Sequence, residues 1–157
     1  MMRLDPPLEG SEVTPSGSGG TGLYKLVEGF AICFKENIQA QPLRVGTPTG
    51  MEALFFQILL LDDIRLLLCA LYRPPRQGPG LMEFLTEQLD ALLMRHCCSH
   101  VLIVGDLNHH QEQAAYESLL DVQRLNDYVN FPTHIKRGTL DPVITDIQEG
   151  AFECHQL

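Results

Sequence analysis

The chain has 157 residues, of which 45% are hydrophobic, and its formal net charge is −9 at pH 7. This length and apolar content suit one domain with a real core, and the acidic balance argues against a nucleic-acid-binding protein with a broad basic face. The five cysteines are odd in number and show no Cys-x-x-Cys spacing, so they indicate neither a disulfide framework nor a zinc ribbon. We therefore expect a reduced, intracellular setting, nuclear or cytoplasmic.

Residues 1–18 have the composition of a disordered tail. Pro, Gly and Ser are frequent there and hydrophobic periodicity is absent, so the segment cannot offset the entropy of becoming ordered. It also lacks the apolar run of a secretory signal peptide. The domain is assigned to residues 19–157, in which Gly29–Lys35 is the first strand candidate and Cys33 is expected in the core.

Two apolar runs, Glu52–Leu61 and Ile64–Tyr72, predict an antiparallel hairpin with a two-residue turn at Asp62 and Asp63. Both runs are almost continuously apolar, so both faces should be covered, by a second sheet or by helices. A membrane span is rejected for this stretch because charged residues lie in its middle, and each would cost about 2.5–3.5 kcal/mol at a bilayer centre.

A helix and a buried strand are predicted next. Leucines at helical spacing mark Leu81–His96, with acidic residues early and basic residues late, the order that favours the helix dipole. The apolar run Val101–Val104 then predicts a short strand that is buried on both faces. Hairpin, helix and strand in this order indicate a layered α/β arrangement.

Polar residues follow that strand abruptly. Gly105 permits a tight turn, and Asp106 and Asn108, two residues apart, would leave the strand end on the same side. A carboxylate beside a carboxamide suits phosphoryl chemistry, since Asp can hold a divalent cation or orient a water and Asn can hydrogen-bond a phosphate oxygen. The structural alternative is an Asx turn that caps a core strand.

Weaker patterns occupy the rest of the chain. Residues 112–120 predict a short helix, residues 122–129 are ambiguous, and Thr139–Ile147 has strand propensity. Pro142 makes this last segment an edge strand or an irregular one. Asp141 lies within it, where a carboxylate needs a partner to be tolerated.

Three segments together, Leu71–Pro75, Val104–Asn108 and Gly138–Thr145, resemble in order and spacing the endonuclease/exonuclease/phosphatase superfamily. The resemblance is strongest to the endonuclease domain that precedes reverse transcriptase in non-LTR (LINE-type, jockey-like) retrotransposons, and it covers residues 19–157. It implies an α/β (α+β) fold that is part of a four-layer α-β-β-α sandwich. The strand ends of that sandwich would form a metal-dependent phosphodiesterase site.

The resemblance implies catalytic roles for four residues. Asp106 would bind Mg²⁺ or Mn²⁺ and orient the nucleophilic water, and Asn108 would contact the scissile phosphate. Tyr72 matches the phosphate-side tyrosine of the family, and Asp141 matches the aspartate that orients a catalytic histidine. Such a cluster supplies what phosphodiester hydrolysis needs, an activated water and compensation of charge on the phosphoryl oxygens.

The implied substrate is DNA, and the implied partner is the reverse transcriptase domain of the parent element. A membrane partner is not implied, and the domain is expected to be a monomer. Basic side chains on the motif-bearing rim would contact phosphates, with solvated loop charges as the alternative. These substrate-binding candidates are Arg73, Arg76, Lys136 and Arg137.

Other parts of the family pattern do not match this sequence. An Asn and a metal-binding Glu belong before the glycine-rich start, where Glu9 and Glu12 are not credible substitutes, and a Ser-Asp-His motif should follow the Thr-Leu-Asp segment. The expectation is therefore a copy truncated at both ends, with little nuclease activity. Two alternatives stay open: a non-catalytic remnant or binding module, and a phosphatase of the same superfamily, against which the Tyr-Arg-Pro-Pro and Thr-Leu-Asp segments argue.

Overall fold

The computed structural model describes residues 21–27, 30–133, 141–148 and 150; the predicted tail lies outside them. The elements are β1 (Thr21–Val27), β2 (Phe30–Lys35), β3 (Gln39–Leu43), β4 (Glu52–Leu59), β5 (Arg65–Tyr72), α1 (Gly80–Arg95), β6 (His100–Asp106), α2 (Gln113–Gln123), β7 (Asn126–Asp127) and β8 (Val143–Thr145). β1 pairs with β2, and the other strands form a six-stranded sheet in the order β3-β4-β5-β6-β8-β7. The mixed α/β class is as predicted.

The predicted hairpin is confirmed as β4 and β5, which pair antiparallel from Glu52 opposite Tyr72 to the end next to the turn. The two-residue turn lies at Asp62 and Asp63 as predicted, because both have positive φ and the Ile64 N–H donates across them to the Leu61 carbonyl oxygen at 3.3 Å. The Leu60 N–H also donates to the Ile64 carbonyl oxygen, at 2.7 Å, so Ile64 faces two residues and the strands pair one residue out of the register that the turn alone predicts. Asp62 has a left-handed backbone with φ 60°, a conformation that Asp tolerates better than most residues do.

Both faces of the hairpin are covered, as the continuous apolar runs predicted. Side chains on one face, including Leu67 and Leu71, pack in a buried cluster with Leu85 and Leu89 of α1. The opposite face packs against β2, where the rings of Phe34 and Phe56 meet edge to face with centroids 5.1 Å apart. The described layers are therefore helices, the six-stranded sheet and the β1–β2 pair. Cys33, expected in the core, is instead exposed.

The strand after α1 connects the motif-bearing segments. α1 begins and ends within one residue of the predicted helix, and it carries the chain from β5 to β6, which pairs with β5 in parallel. β8 pairs antiparallel with β6 and also with β7, so the prediction of an edge strand for this segment is wrong. Pro142 is compatible with an inner position because it precedes the three paired residues of β8.

Candidate functional site

The β5–β6 register brings the first two motifs together. Tyr72 and Asp106 end their strands as Cα partners, and the carboxyl ends of parallel strands lie at the same edge of a sheet. β8 runs antiparallel to β6, with Val143 opposite Val104, so its start lies at this edge too. Asp141 precedes that start; it is exposed, and its N–H donates to the Thr133 hydroxyl at 3.3 Å. The three motifs therefore reach one end of the sheet.

Glu52 also lies at this edge, and its sequence context predicted no role for it. It is the Cα partner of Tyr72 on the side away from Asp106, and residues paired directly across strands project from the same face of a sheet. Its Oε2 atom is buried without a hydrogen-bond partner among the described residues. Pairing the two strands residue by residue from the turn would have placed Glu52 opposite Tyr72, but only if the register next to the turn had been known.

Gly105 determines how closely the two motif strands approach. The residue was expected in a turn, but it lies inside β6 with φ +129°. A Cβ atom there would overlap the carbonyl oxygen of Leu71 on β5. Glycine is required at this position both for its backbone conformation and for the lack of a side chain, and it sets the distance between the ends of the two strands.

Asp106 and Asn108 form an Asx turn, which was the structural alternative for this pair. Oδ1 of Asp106 accepts the N–H of Asn108 at 3.2 Å. Asn108 has a left-handed backbone, φ 42° and ψ 36°, and β6 ends at Asp106. The period-two alternation that predicted both side chains on one side therefore does not extend to Asn108. Asn108 is 6% exposed, and its side-chain amide donates to the Arg73 carbonyl oxygen at 2.9 Å.

Arg73 was predicted to contact substrate phosphates, and this prediction is wrong because the residue is 0% exposed. Its Nε donates to the carbonyl oxygen of Gly78 at 2.8 Å. Its Nη1 donates to the carbonyl oxygens of Leu107 and Asn108 at 3.2 and 3.0 Å. Nη2 lies 3.5 Å from Oε1 of Glu112. The buried guanidinium therefore hydrogen-bonds both the loop after β5 and the loop after β6.

Of the other three predicted basic residues, Arg76 lies within the described part of the chain. Arg76 is exposed and has φ 68°, and its N–H donates to the side-chain oxygen of Gln111 at 2.9 Å. It therefore lies on the rim next to the turn that follows Asn108. Lys136 and Arg137 lie outside the described residues.

An aromatic pair supports the turn after Asn108. The ring of His109 stacks on Tyr116 with centroids 4.2 Å apart and planes 19° from parallel. The Tyr116 hydroxyl donates to Oδ2 of Asp127 at 2.6 Å. Burial lowers the pKa of His109, whereas burial and the hydrogen bond to Asp127 raise the pKa of Tyr116. At neutral pH both side chains are therefore uncharged beside the site.

The described residues do not form a site of three or more ligands for the divalent cation that the resemblance implies. Asp106 contributes one carboxylate, and one of its oxygens already accepts a backbone N–H. Within the described ranges, no group of three or more His, Cys, Asp and Glu side chains is close enough to hold a metal ion. Mg²⁺ binds one or two carboxylates together with waters and substrate phosphates, so Asp106 could supply one ligand, but it does not make a preformed site by itself.

Neither helix of the described part has the length and apolarity to cross a bilayer. No protein-family model and no curated protein matches the chain. Among solved structures, it is similar to the Haemophilus ducreyi cytolethal distending toxin, with 15% identity and a TM-score of 0.47. That alignment covers 73% of this chain and 46% of the toxin chain, so this chain spans less than half of the toxin chain's length.

Proposed function

We propose that the chain is a phosphodiesterase-type domain of the endonuclease/exonuclease/phosphatase superfamily, derived from the endonuclease of a non-LTR retrotransposon and acting on DNA. The observation that carries the proposal is the register that aligns Tyr72 with Asp106 at the ends of parallel neighbouring strands. Asn108 follows two residues later, and Asp141 precedes the strand that pairs with β6 on its other side. Motifs that are far apart in sequence thus share one sheet edge.

Each of these residues has a chemical task in the proposal. The Asp106 carboxylate orients a water for attack on phosphorus, and the Tyr72 hydroxyl donates to a phosphoryl oxygen. The Asn108 amide has two N–H donors, of which one is bonded to Arg73, so the other remains for a phosphate oxygen. Donors held in place before the reaction stabilise developing charge without reorganisation. Asp141 would orient a catalytic histidine that the described residues do not identify.

A requirement for Mg²⁺ or Mn²⁺ is part of the proposal, and the test varies the cation. Asp106 is the one ligand that the motifs nominate, and further ligands would have to come from substrate phosphate oxygens or from residues outside the described ranges. Rim contacts to DNA phosphates are proposed for Arg76, Lys136 and Arg137. Arg73 is excluded from that set by its burial.

A non-catalytic nucleic-acid-binding module is the second candidate. Two observations favour it: the Asp106–Asn108 pair is already satisfied as an Asx turn, and no three-residue metal-binding group occurs in the described part of the chain. A module of this kind would bind DNA without cleaving it.

A plasmid-nicking assay separates the two candidates. Supercoiled DNA is incubated with the full chain in Mg²⁺, in Mn²⁺ and in EDTA, and relaxed product is measured alongside a gel-shift binding assay. Asp106→Asn keeps an oxygen that accepts the Asn108 N–H but removes the charge. The matched control is Asp90→Asn, which changes an exposed carboxylate on α1.

We expect nicking that Asp106→Asn lowers about 100-fold or more, the range for loss of a group that activates a water, and that Asp90→Asn leaves unchanged. The comparison of Mg²⁺, Mn²⁺ and EDTA shows whether the reaction needs a divalent cation, and the difference between the two variants decides the proposed site. Nicking that survives Asp106→Asn would overturn the proposed site. DNA binding without any nicking would favour the non-catalytic module. In a parallel assay with an inositol phosphate as substrate, release of inorganic phosphate would favour the phosphatase.

A further inference from the structure

We infer that Arg73 is a positioning residue whose buried guanidinium clamps the loop after β5 to the loop after β6 and thereby fixes Asn108. The clamp is a property of the fold. Its effect on catalysis rests on the proposed function.

The first loop is poor in backbone donors. Pro74, Pro75 and Pro79 lie in the segment between β5 and α1, and proline has no backbone N–H. The Nε atom of Arg73 donates to the Gly78 carbonyl oxygen at 2.8 Å, so the guanidinium folds this proline-rich loop back toward its start.

The second loop is held by reciprocal bonds. Nη1 of Arg73 donates to the carbonyl oxygens of both Leu107 and Asn108, and the Asn108 amide donates back to the Arg73 carbonyl oxygen. The Arg73 N–H also donates to the Asp106 carbonyl oxygen at 2.8 Å. Asn108 is in the left-handed region, and a backbone of this kind persists where its surroundings over-determine it.

The choice of arginine follows from the geometry. Three carbonyl oxygens from two loops accept from one side chain, and the planar guanidinium offers donors in several fixed directions, whereas a lysine ammonium is a compact point charge. The guanidinium is fully buried. Its Nη2 has an ion-pair distance of 3.5 Å to Glu112 but no hydrogen-bond partner among the described residues. Glu112 is therefore the counter-charge that the buried cation requires.

The test measures amide hydrogen exchange of the full chain without substrate. Two backbone N–H groups are the reporters. That of Asn108 donates to Oδ1 of Asp106, and that of Gln111 donates to the Asn108 carbonyl oxygen at 3.2 Å. The reference amides are Leu60 and Ser99, which are hydrogen-bonded at the opposite end of the sheet. Faster exchange at the reporters alone indicates local opening, whereas faster exchange at reporters and references indicates a general loss of stability.

Arg73→Lys keeps the positive charge but loses the planar group with donors in several fixed directions. We expect exchange at the two reporters to become about tenfold faster or more, the change that loss of one hydrogen bond to a charged group produces, with the references unchanged. Glu112→Gln should act on the same reporters with a smaller effect, and it serves where the Arg73 variant folds poorly. Arg95→Lys, an exposed arginine at the end of α1, is the matched control and should change neither set.

Chemical rescue adds a readout that a simple loss of packing would not move. Millimolar guanidinium, far below denaturing concentrations, should slow reporter exchange in Arg73→Ala and restore its nicking through kcat rather than KM. Equal acceleration at reporters and references, or Lys performing as well as Arg, would overturn the inference. If the native chain does not nick DNA, the proposed function fails while the exchange measurements still decide the clamp.

Discussion

The two ends of the β5–β6 pair are held together in different ways. At the candidate site, the strand ends are flanked by a glycine with positive φ, Gly105, by a left-handed residue, Asn108, and by a fully buried cation, Arg73. At the opposite end, Oδ1 of Asp146 accepts the Val101 N–H at 2.9 Å. Oδ2 of the same half-buried carboxylate lies 3.0 Å from His100.

This difference shows where the fold carries local cost. Positive φ does not distinguish the two ends, because Asp62, Asp63 and Cys97 next to the far end have it too. A fully buried charge is unfavourable and persists only where neighbouring contacts compensate for it, whereas the far end satisfies a backbone donor with a partly exposed carboxylate, which costs little. The contrast therefore lies in the buried Arg73 and in the tight approach at Gly105, and it supports the proposal that the site is at the Tyr72–Asp106 end.

The largest effect is expected from Gly105→Ala. An alanine there must adopt φ +129°, and its Cβ would overlap the Leu71 carbonyl oxygen, which is backbone and cannot rotate away. Backbone strain and overpacking each cost about 1–3 kcal/mol, so we expect the free energy of unfolding to fall by about 3 kcal/mol or more. Urea unfolding measures this loss.

The control is Gly46→Ala, at a glycine with ordinary φ and no heavy atom within 4 Å of an added Cβ. It should stay within about 0.5 kcal/mol of the native value, as surface substitutions usually do. Equal midpoints for the two variants would mean that the strands can separate at Gly105 without cost, and the contrast between the two ends would be lost.

The sequence predicted elements whose pattern is local. Leucine spacing sufficed for α1, and two continuous apolar runs sufficed for the β4–β5 hairpin and its double coverage. Contacts that depend on pairing between distant strands were missed. The position of Glu52 depends on the register next to the turn, and the burial of Arg73 depends on carbonyl oxygens of Gly78 and the β6 loop. A charged residue at a strand end is predicted as exposed unless those carbonyls are known.

An intermediate effect is expected from Asp146→Ala at the far end. The variant leaves the N–H of buried Val101 without its acceptor, and an unsatisfied buried donor costs about 1–3 kcal/mol. The pair with His100 adds little, since the two side chains are 29% and 37% exposed and exposed ion pairs contribute about 0–1 kcal/mol. Asp146→Asn keeps an acceptor and should therefore lose much less stability in urea than Asp146→Ala. Equal losses would assign the effect to the ion pair.

The smallest effect is a pH dependence at the site end. Burial lowers the pKa of His109 below its ordinary 6.5, with Asp127 opposing and His110 reinforcing the shift. Between the lowered pKa and 6.5 the unfolded chain binds a proton that the folded chain does not, so stability rises with pH there; it is full above about pH 6.5 and falls as the pH drops through the folded pKa. His109→Phe keeps a ring on Tyr116 but does not titrate, so its urea midpoint should fall less than the native midpoint between pH 7.5 and 5.5. His110→Gln should keep most of the native slope because burial is the main cause, and a slope unchanged in His109→Phe would remove His109 from the pH response.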